Sequence, residues 1–309
     1  MAEGKGYGKC ILFNEHFVVY GIPSIVSAIG DTTIAKVEKT ESTGVTLIDN
    51  RPATPGYKKD KKDQQKDSLH YILEAMDISP DENITITLSG NLYAASGVGA
   101  SAASCTAIAR ALNQFFDMGL PDEEINNVAY QGERGYHGTP SGVDNTASTY
   151  GGLIWFIKGD TKNTVDLLKI KEPVKIVMGN TGKVANTKKA VAGVRERKEK
   201  YPEKYNDIFK EADSVVHDAR KAFEQYNIKS IGDLMNRNHE LLQKIEVSNN
   251  DLDMLVETAR DAGALGAKMT GGGLGGYMVA LTPSQDIQNA VAQAIEKKGF
   301  KVLKTEIGI

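Results

Sequence analysis

Cysteine is scarce in this sequence, in which Cys10 and Cys105 are the only two. Two cysteines cannot build a disulfide framework, and each lies in an apolar segment, so we expect both to be small core residues. The five histidines are scattered and give no zinc-site pattern. The N-terminus also lacks the apolar core of a signal peptide, and a reducing, cytoplasmic location is expected.

Long apolar runs and an excess of positive charge are also missing. The net charge is -3 and 25% of the residues are charged, so no basic footprint for nucleic acid is present and no segment approaches bilayer length. The sequence therefore predicts neither a nucleic-acid partner nor a membrane partner. Neither G-x-x-x-x-G-K-[ST] nor G-x-G-x-x-G occurs, so the Walker A and Rossmann loops are not indicated. The length suits two domains or one large one.

A loop of small residues, GVGASAAS at residues 97–104, joins a predicted strand to a predicted helix. Ile84, Ile86 and Leu88 alternate with polar residues as in a half-buried strand, and apolar residues recur at helical spacing from Ile108 to Phe116. Free backbone N–H groups and the positive end of the dipole converge at such a helix start, so the loop can bind a phosphate. A closely packed Gly–Ala hinge explains the same residues equally well.

Three further segments carry unusual residues. Asn14, Glu15 and His16 interrupt two apolar runs, which suits either the wall of a site or a simple turn. Residues 51–67 read as an exposed loop without chemistry, because aspartates interleave the lysines. In the segment 268–276, five of the six residues from 271 to 276 are glycine, which favours close approach of the backbone to a ligand.

The remaining segments divide the chain. A helix beginning at Pro121 is predicted to end near Gly132 and Glu133, and a loop containing Asp144 follows. After Pro173 a strand and a glycine-bearing loop lead into a helix at residue 186 or 187, so we place the domain boundary there, giving residues 1–172 and 173–309. Residues 202–262 predict three helices, and a last helix and strand close the chain.

Together these features supply what phosphoryl transfer requires of a protein. Two glycine loops can position phosphates, acidic residues can hold a metal ion and take a proton, and a lysine before an apolar strand can offset negative charge. Each feature alone is a weak signal, but four in one chain are not.

The motifs resemble those of the GHMP kinases, and among them most closely the mevalonate kinases, over nearly the whole length. GKCILFNEHFVVYG is similar to the first family motif, GVGASAAS to the second and KMTGGGLGG to the third, in the family's order. The most specific match is HGTPSGVDN, in which Asp144 follows Glu133 by eleven residues.

The resemblance implies a two-domain α+β fold, with a mixed-sheet N-terminal domain, a ferredoxin-like C-terminal domain and the site between them. It implies ATP-dependent phosphorylation of the 5-hydroxyl of mevalonate, with ATP and Mg²⁺ as cofactors. A homodimer is compatible with the sequence.

The resemblance also implies roles for individual residues. Asp144 would be the base for the attacking hydroxyl and Lys9 the cation beside it, while Ser101 and Glu133 would hold Mg²⁺. Glu15, His16 and Thr187 match positions that line the mevalonate pocket. The positions that match ATP-binding residues are Gly97, Val98, Gly99, Ala100, Ser101, Ala102, Gly271, Gly272 and Gly273.

Several positions depart from the family pattern, among them Tyr93 and Ala95, which replace a usual proline and a usual glycine. Tyr7 replaces a usual proline, Asn14 a usual glycine and Ala100 a usual serine, so the shape of the acceptor pocket is open. The alternatives are a related kinase for another hydroxy acid or sugar, a non-catalytic metabolite sensor, and a decarboxylase that first phosphorylates. The spacing of Glu133 and Asp144 argues against the decarboxylase, and the retained charged residues argue against the sensor.

Overall fold

A computed structural model describes residues 1–94, 97–183 and 187–309. The described strands are β1 (Ala2–Phe13), β2 (Ser24–Lys39), β3 (Val45–Asp49), β4 (Ile84–Gly90), β5 (Leu153–Ile157), β6 (Thr164–Leu168), β7 (Val174–Asn180), β8 (Gly266–Thr270), β9 (Tyr277–Leu281) and β10 (Lys301–Ile307). The described α-helices are α1 (Tyr57–Asp60), α2 (Lys62–Ala75), α3 (Ala100–Phe115), α4 (Asp122–His137), α5 (Val143–Tyr150), α6 (Thr187–Lys200), α7 (Pro202–Glu224), α8 (Ile228–Lys244), α9 (Asn250–Asp261) and α10 (Gln285–Lys297). A 3₁₀ helix spans Phe17–Tyr20.

The chain divides into two compact units. The first contains Met1–Lys9 and Ala28–Gly151, and the second contains Cys10–Ser27 and Gly152–Ile309. Residues 24–27 of β2 pair with β5, so strand pairing groups this early segment with later parts of the chain. The division at residue 172 remains a prediction about the domains, since it follows the linear sequence and the units follow spatial contacts.

The first unit packs helices against a small mixed sheet. β3 pairs with β4 in parallel, and β4 pairs with the second half of β2 in antiparallel register. The alternation of Ile84, Ile86 and Leu88 is confirmed, because all three side chains are buried on the face that meets the helices. Apolar side chains of α2, α3 and α4 complete this core.

The second unit is built mainly on antiparallel strands. β10, β7, β9 and β8 pair in that order, and β5 pairs separately with β2 and β6. Helices α8 and α9 contact β8, and α10 contacts β7 and β10. The three helices predicted within residues 202–262 are confirmed as α7, α8 and α9, as are the last helix and the last strand. No helix in the described ranges is long and apolar enough to cross a membrane.

The predicted end of the helix after Pro121 is wrong. α4 continues to His137, so Glu133 lies within a helix. Asp144 lies in the first turn of α5 and not in a loop. Both acidic groups are therefore held by regular secondary structure.

The glycines that suggested a helix end are required by packing against α2. A Cβ on Gly135 would lie 2.3 Å from the backbone nitrogen of Ser68, and a Cβ on Gly132 would lie 2.8 Å from Cγ1 of Ile72. Glycine lowers local helix propensity by about 1 kcal/mol, but here tertiary contact outweighs propensity.

Two other expectations are corrected. Residues 51–67 do not form an exposed loop, because α1 and the start of α2 lie there and Arg51 is buried. The charged residues of this segment lie on the solvent-facing sides of these helices, and because they are numerous the helical spacing of the apolar residues is not evident in the sequence. Lys268, Met269 and Thr270 belong to β8 and not to the glycine loop, since they pair with β9. The helix expected at residue 186 or 187 is described from Thr187, and residue 186 lies outside the described ranges.

Glycines in β1 allow its backbone to touch α3. A Cβ on Gly6 would lie 2.1 Å from the carbonyl oxygen of Ala103, and a Cβ on Gly4 would lie 2.2 Å from that of Ala107. Ala103 and Ala107 are one helical turn apart and lie on the same face of α3, so the two glycines of β1 contact the two alanines along one line. This contact fixes where α3 begins relative to the strand that carries Lys9.

We expect Gly6→Ala to lower the free energy of unfolding by about 2 kcal/mol, because the added methyl group meets backbone that cannot move aside. Gly193→Ala is the matched control, since its Cβ would lie in a helix and would meet the far end of the Arg197 side chain and not backbone. That variant should stay within about 1 kcal/mol of wild type, because the gain in helix propensity offsets the displacement of the arginine. Urea denaturation of both variants measures the difference, and equal stability of the two would contradict the contact.

Candidate active site

The start of α3 forms a cradle of backbone N–H groups. Gly99 precedes the helix in the left-handed region at φ 70°, and Gly97 has φ 103°. None of the side chains that the structure describes caps this helix end. Among the described residues, the N–H groups of the first turn therefore lack the usual side-chain acceptor, which is the arrangement that binds phosphate.

A backbone hydrogen bond fixes the position of Lys9 next to the start of α3. Its N–H donates to the carbonyl of Val98 at 2.9 Å. A Cβ on Gly99 would lie 2.7 Å from Cγ of Lys9, so glycine is needed there both for φ and for space. The lysine is 4% exposed, and its Nζ lies 3.0 Å from Oδ1 of Asp144. A buried ammonium group and a carboxylate thus meet beside the helix start.

Asp144 is held by the anchoring of α5. The cap of α5 is Gly142, whose αL backbone replaces a side-chain cap, so Asp144 does not serve as the cap. Asn145 donates to Oδ1 of Asn126 on α4 at 2.7 Å, and Thr146 donates to the carbonyl of Gly142 at 2.6 Å. The carboxylate of Asp144 is consequently free of a helix-capping role and is aimed at Lys9.

Glu133 is a buried carboxyl group in the same unit. Burial, reinforced by the nearby charge of Asp144, raises the pKa of Glu133 to about 8, although a hydrogen bond from Ser101 and the charge of Lys9 act in the opposite direction. Its Oε1 is buried and has no hydrogen-bond partner in the part of the chain that the structure describes, and His137 Nε2 lies 3.7 Å from Oε2. The structure therefore contains an acidic group whose ionised form is poorly compensated by its surroundings.

Glu133 and Ser101 together fit a small hard cation. Within the described ranges no group of three or more His, Cys, Asp or Glu side chains gathers to hold a metal ion. Mg²⁺ does not need one, because it binds through one or two carboxylates while keeping water and substrate phosphates as its other ligands. A carboxylate with an unsatisfied oxygen, a hydroxyl group and a phosphate cradle are a suitable donor set.

In the second unit, Glu15 and His16 take part in two separate contacts. Glu15 forms an ion pair with Lys268, whose Nζ also donates to the carbonyl of Met269 at 2.7 Å. Both charged groups are buried. His16 Nε2 lies 3.0 Å from the carbonyl oxygen of Gly272.

His16 is neutral at ordinary pH. Burial lowers the pKa of His16 from 6.5 to about 4, with Lys268 and Arg197 adding to the decrease and the hydrogen bond to Gly272 opposing it. Because a carbonyl oxygen only accepts, Nε2 carries the proton and Nδ1 is an acceptor. Nδ1 is buried and has no hydrogen-bond partner among the described residues.

The third glycine motif needs its glycines. Gly271 has φ 83° and Gly273 has φ 73°, both in the left-handed region. A Cβ on Gly272 would lie 2.2 Å from Oγ1 of Thr187. Thr187 and His16 therefore both lie beside Gly272.

Asn14, the departure from the family's glycine, has a structural explanation. Its φ is 68°, a conformation that asparagine tolerates better than most residues. The side-chain amide donates to the carbonyls of Pro23 at 2.9 Å and Ala212 at 3.1 Å, and its oxygen accepts from Asn238 at 2.9 Å. The amide is thus consumed within a buried network.

Two groups of predicted site residues are therefore assembled, one in each unit. The first unit brings together Lys9, Ser101, Glu133 and Asp144. The second brings His16 and Thr187 to the glycine motif, whereas Glu15 is paired with Lys268. Sequence reasoning missed Lys268, although a lysine between apolar residues of a strand is a usable signal for a buried ion pair.

The chain matches models and relatives of one family. The model described as GHMP kinases N terminal domain matches residues 66–152, and GHMP kinases C terminal matches residues 219–301. Mevalonate kinase of Thermococcus sibiricus is 34% identical, over 97% of this chain and 94% of the relative. Mevalonate kinase of Methanothermobacter thermautotrophicus is 30% identical, over 97% of this chain and 96% of the relative.

Solved structures agree. The crystal structure of L. major mevalonate kinase in complex with R-mevalonate matches with a TM-score of 0.96 and 36% identity, covering 99% of this chain and 96% of that chain. The α+β architecture with its mixed sheet is the two-domain fold of this family. The chain therefore belongs to the GHMP kinase family and, within it, to the mevalonate kinases.

Proposed function

We propose that this chain transfers the terminal phosphoryl group of ATP to the 5-hydroxyl of mevalonate, giving 5-phosphomevalonate and ADP. The observation that carries this proposal is the contact of Lys9 with Asp144 at 3.0 Å beside the start of α3, which no described side chain caps. Phosphoryl transfer needs positioning and charge neutralisation more than covalent participation by the protein. Relatives that match 97% of this chain are named mevalonate kinase.

Asp144 acts as the base for the attacking hydroxyl. Lys9 pairs with the Asp144 side chain and stabilises the alkoxide character that develops as the proton leaves. The backbone N–H groups from Gly97 to Ala102 bind the phosphates, and we assign a further part of nucleotide binding to the motif from Gly271 to Gly273. Magnesium, when held by Ser101 and Glu133, supplies neutralisation of phosphate charge.

His16 binds the acceptor through Nδ1. A neutral imidazole with one buried, unpartnered acceptor is suited to a substrate hydroxyl, because an unsatisfied polar atom favours a donor that completes it. Thr187 lies beside the same glycine and adds a hydroxyl group. Glu15 contributes through its pair with Lys268, which orders the segment next to His16.

Asp144→Asn should fold, bind ATP and mevalonate nearly as wild type does, and lose about 10² to 10⁴ in kcat, because asparagine cannot accept the proton. Steady-state kinetics with both substrates measures the loss. Asp122→Asn is the matched control, since Asp122 also lies in the first turn of a helix and pairs with an arginine, Arg110, at 2.7 Å. A kcat for Asp144→Asn within a few-fold of the control would refute the base assignment.

Glu133→Gln should change how the stability of the metal-free protein depends on pH. The folded-state pKa of Glu133, about 8, exceeds its ordinary value of 4.5, so the folded protein holds a proton that the unfolded chain releases. Stability is therefore greatest below pH 4.5 for this group and is lost as pH rises toward 8. Thermal melts should show Glu133→Gln gaining on wild type across this interval, whereas Glu124→Gln, at an exposed position, should follow wild type.

The same substitution should weaken use of the metal. Binding of Mg²⁺ with nucleotide must displace the proton from Glu133, so the apparent metal affinity of wild type should rise by up to about tenfold per pH unit below the pKa. Glu133→Gln should need more Mg²⁺ and lose this dependence. Titration of Mg²⁺ at several pH values gives the comparison, and unchanged wild-type turnover at limiting Mg²⁺ in the variant would overturn the metal assignment.

His16→Leu should raise KM for mevalonate by about tenfold with little change in kcat, because one neutral hydrogen bond to the substrate is lost. Since the pKa of His16 is about 4, the wild-type KM should show no titration near 6.5 from this group. His217→Leu, on the exposed side of α7, is the control. An unchanged KM in His16→Leu would make His16 a packed polar residue and nothing more.

A further inference from the structure

Arg51 is a buried arginine in the segment to which the sequence assigned no chemistry. It follows β3 and is 4% exposed. Burying a guanidinium group is unfavourable unless its donors find acceptors. A buried arginine is therefore held in a defined position by its hydrogen bonds.

The guanidinium group makes four hydrogen bonds through its three nitrogens. Nε donates to Oδ1 of Asp49 at 3.0 Å and Nη2 donates to Oδ2 at 2.7 Å, which is a bidentate pair. Nη1 donates to the carbonyl of Ala100 at 2.9 Å and to Oγ1 of Thr33 at 3.3 Å. One side chain thus joins the end of β3, the strand β2 and the first residue of α3.

Asp49 is itself held in place. Gln65 on α2 donates to its Oδ2 at 3.1 Å, and Lys58 on α1 donates to its carbonyl at 2.6 Å. The helices that replace the expected loop therefore secure the partner of Arg51. The Asp49 carboxylate also balances the charge of Arg51, so the pair supplies geometry more than net positive potential.

Ala100 is the residue through which this geometry reaches the phosphate cradle. Its carbonyl accepts from Arg51 and also from Oγ of Ser104 at 2.8 Å. Ser101, the next residue, lies close enough to Glu133 to lower the pKa of that carboxyl group. Fixing the Ala100 carbonyl fixes the peptide plane whose nitrogen belongs to Ser101, since that plane is rigid.

We propose that Arg51 is a positioning residue for nucleotide binding, which sets the first turn of α3 so that its N–H groups and Ser101 meet the phosphates. The proposal rests on the proposed function of this cradle. We assign Arg51 to positioning and not to direct phosphate binding, because four of its five N–H groups already donate to acceptors within the protein.

Arg51→Lys tests this inference. Lysine keeps the charge but loses the planar fork that reaches Asp49 and Ala100 together. We expect binding of ADP with Mg²⁺, measured by calorimetry well below the melting temperature, to weaken by about tenfold. A change of that size corresponds to the loss of roughly one charge-assisted hydrogen bond. KM for ATP should rise similarly, while KM for mevalonate stays within about twofold of wild type.

Arg110→Lys is the matched control. Arg110 also lies on α3 and donates to the carbonyls of Thr149 at 2.8 Å and Lys5 at 3.0 Å, away from the helix start. It loses a comparable set of contacts but should leave ADP binding unchanged. Hydrogen exchange in the nucleotide-free protein gives a second readout, since Arg51→Lys should speed exchange at residues 100–104 and Arg110→Lys should not.

The outcomes separate the hypotheses. Lower stability with unchanged ADP affinity and unchanged exchange at the helix start would make Arg51 a structural residue and overturn the proposal. If Arg51→Lys does not fold, Asp49→Asn releases the same fork while keeping the arginine, and the same two measurements decide. A wild-type protein that binds ADP but does not phosphorylate mevalonate would refute the proposed function while leaving the ADP comparison decisive for Arg51.

Discussion

The contact between the β1 backbone and α3 is the constraint on which the rest of the first unit's site depends. Side chains normally separate a strand from a helix, but Gly4 and Gly6 bring the two backbones together. Strand and helix then have a single allowed register, and Lys9 follows in that register with its N–H bonded to the carbonyl of Val98. The position from which the Lys9 side chain extends is therefore set by main-chain packing. A main-chain position fixed in this way varies less than the position of a long side chain on a protein surface.

Buried charges in this protein fall into two kinds. Lys268 with Glu15 and Arg51 with Asp49 are ion pairs, in which each buried charge faces an opposite charge and neighbouring groups add further hydrogen bonds. Glu133 differs, because burial outweighs the opposite charge of Lys9 and makes its neutral form the more stable one. A buried ion pair holds structure, whereas a carboxyl group that burial keeps neutral can be ionised by an incoming cation. This contrast separates supporting residues from reactive ones.

Local periodicity predicted the strand at Ile84, the helix after the small-residue loop and the three helices of residues 202–262, because these elements bury one regular face. The contacts of Gly132 and of residue Arg51 were not predictable in this way. A glycine inside α4 is retained by its neighbour across the packing interface, and a buried arginine depends on acceptors that are distant in sequence. Motif resemblance predicted the residues Lys9 and Asp144, while their 3.0 Å contact required the fold.

The network around Asn14 has a consequence for how this sequence can change. The Asn14 side chain bonds to Asn238 and to two backbone carbonyls, so a glycine at position 14, which suits the backbone, would remove three hydrogen bonds from a buried network. Replacing Asn238 first would instead remove the hydrogen bonds that it makes with the side-chain oxygen and the backbone N–H of Asn14. Reversion to the family's common residue therefore passes through an intermediate less stable than either end, and the two asparagines are expected to be inherited together.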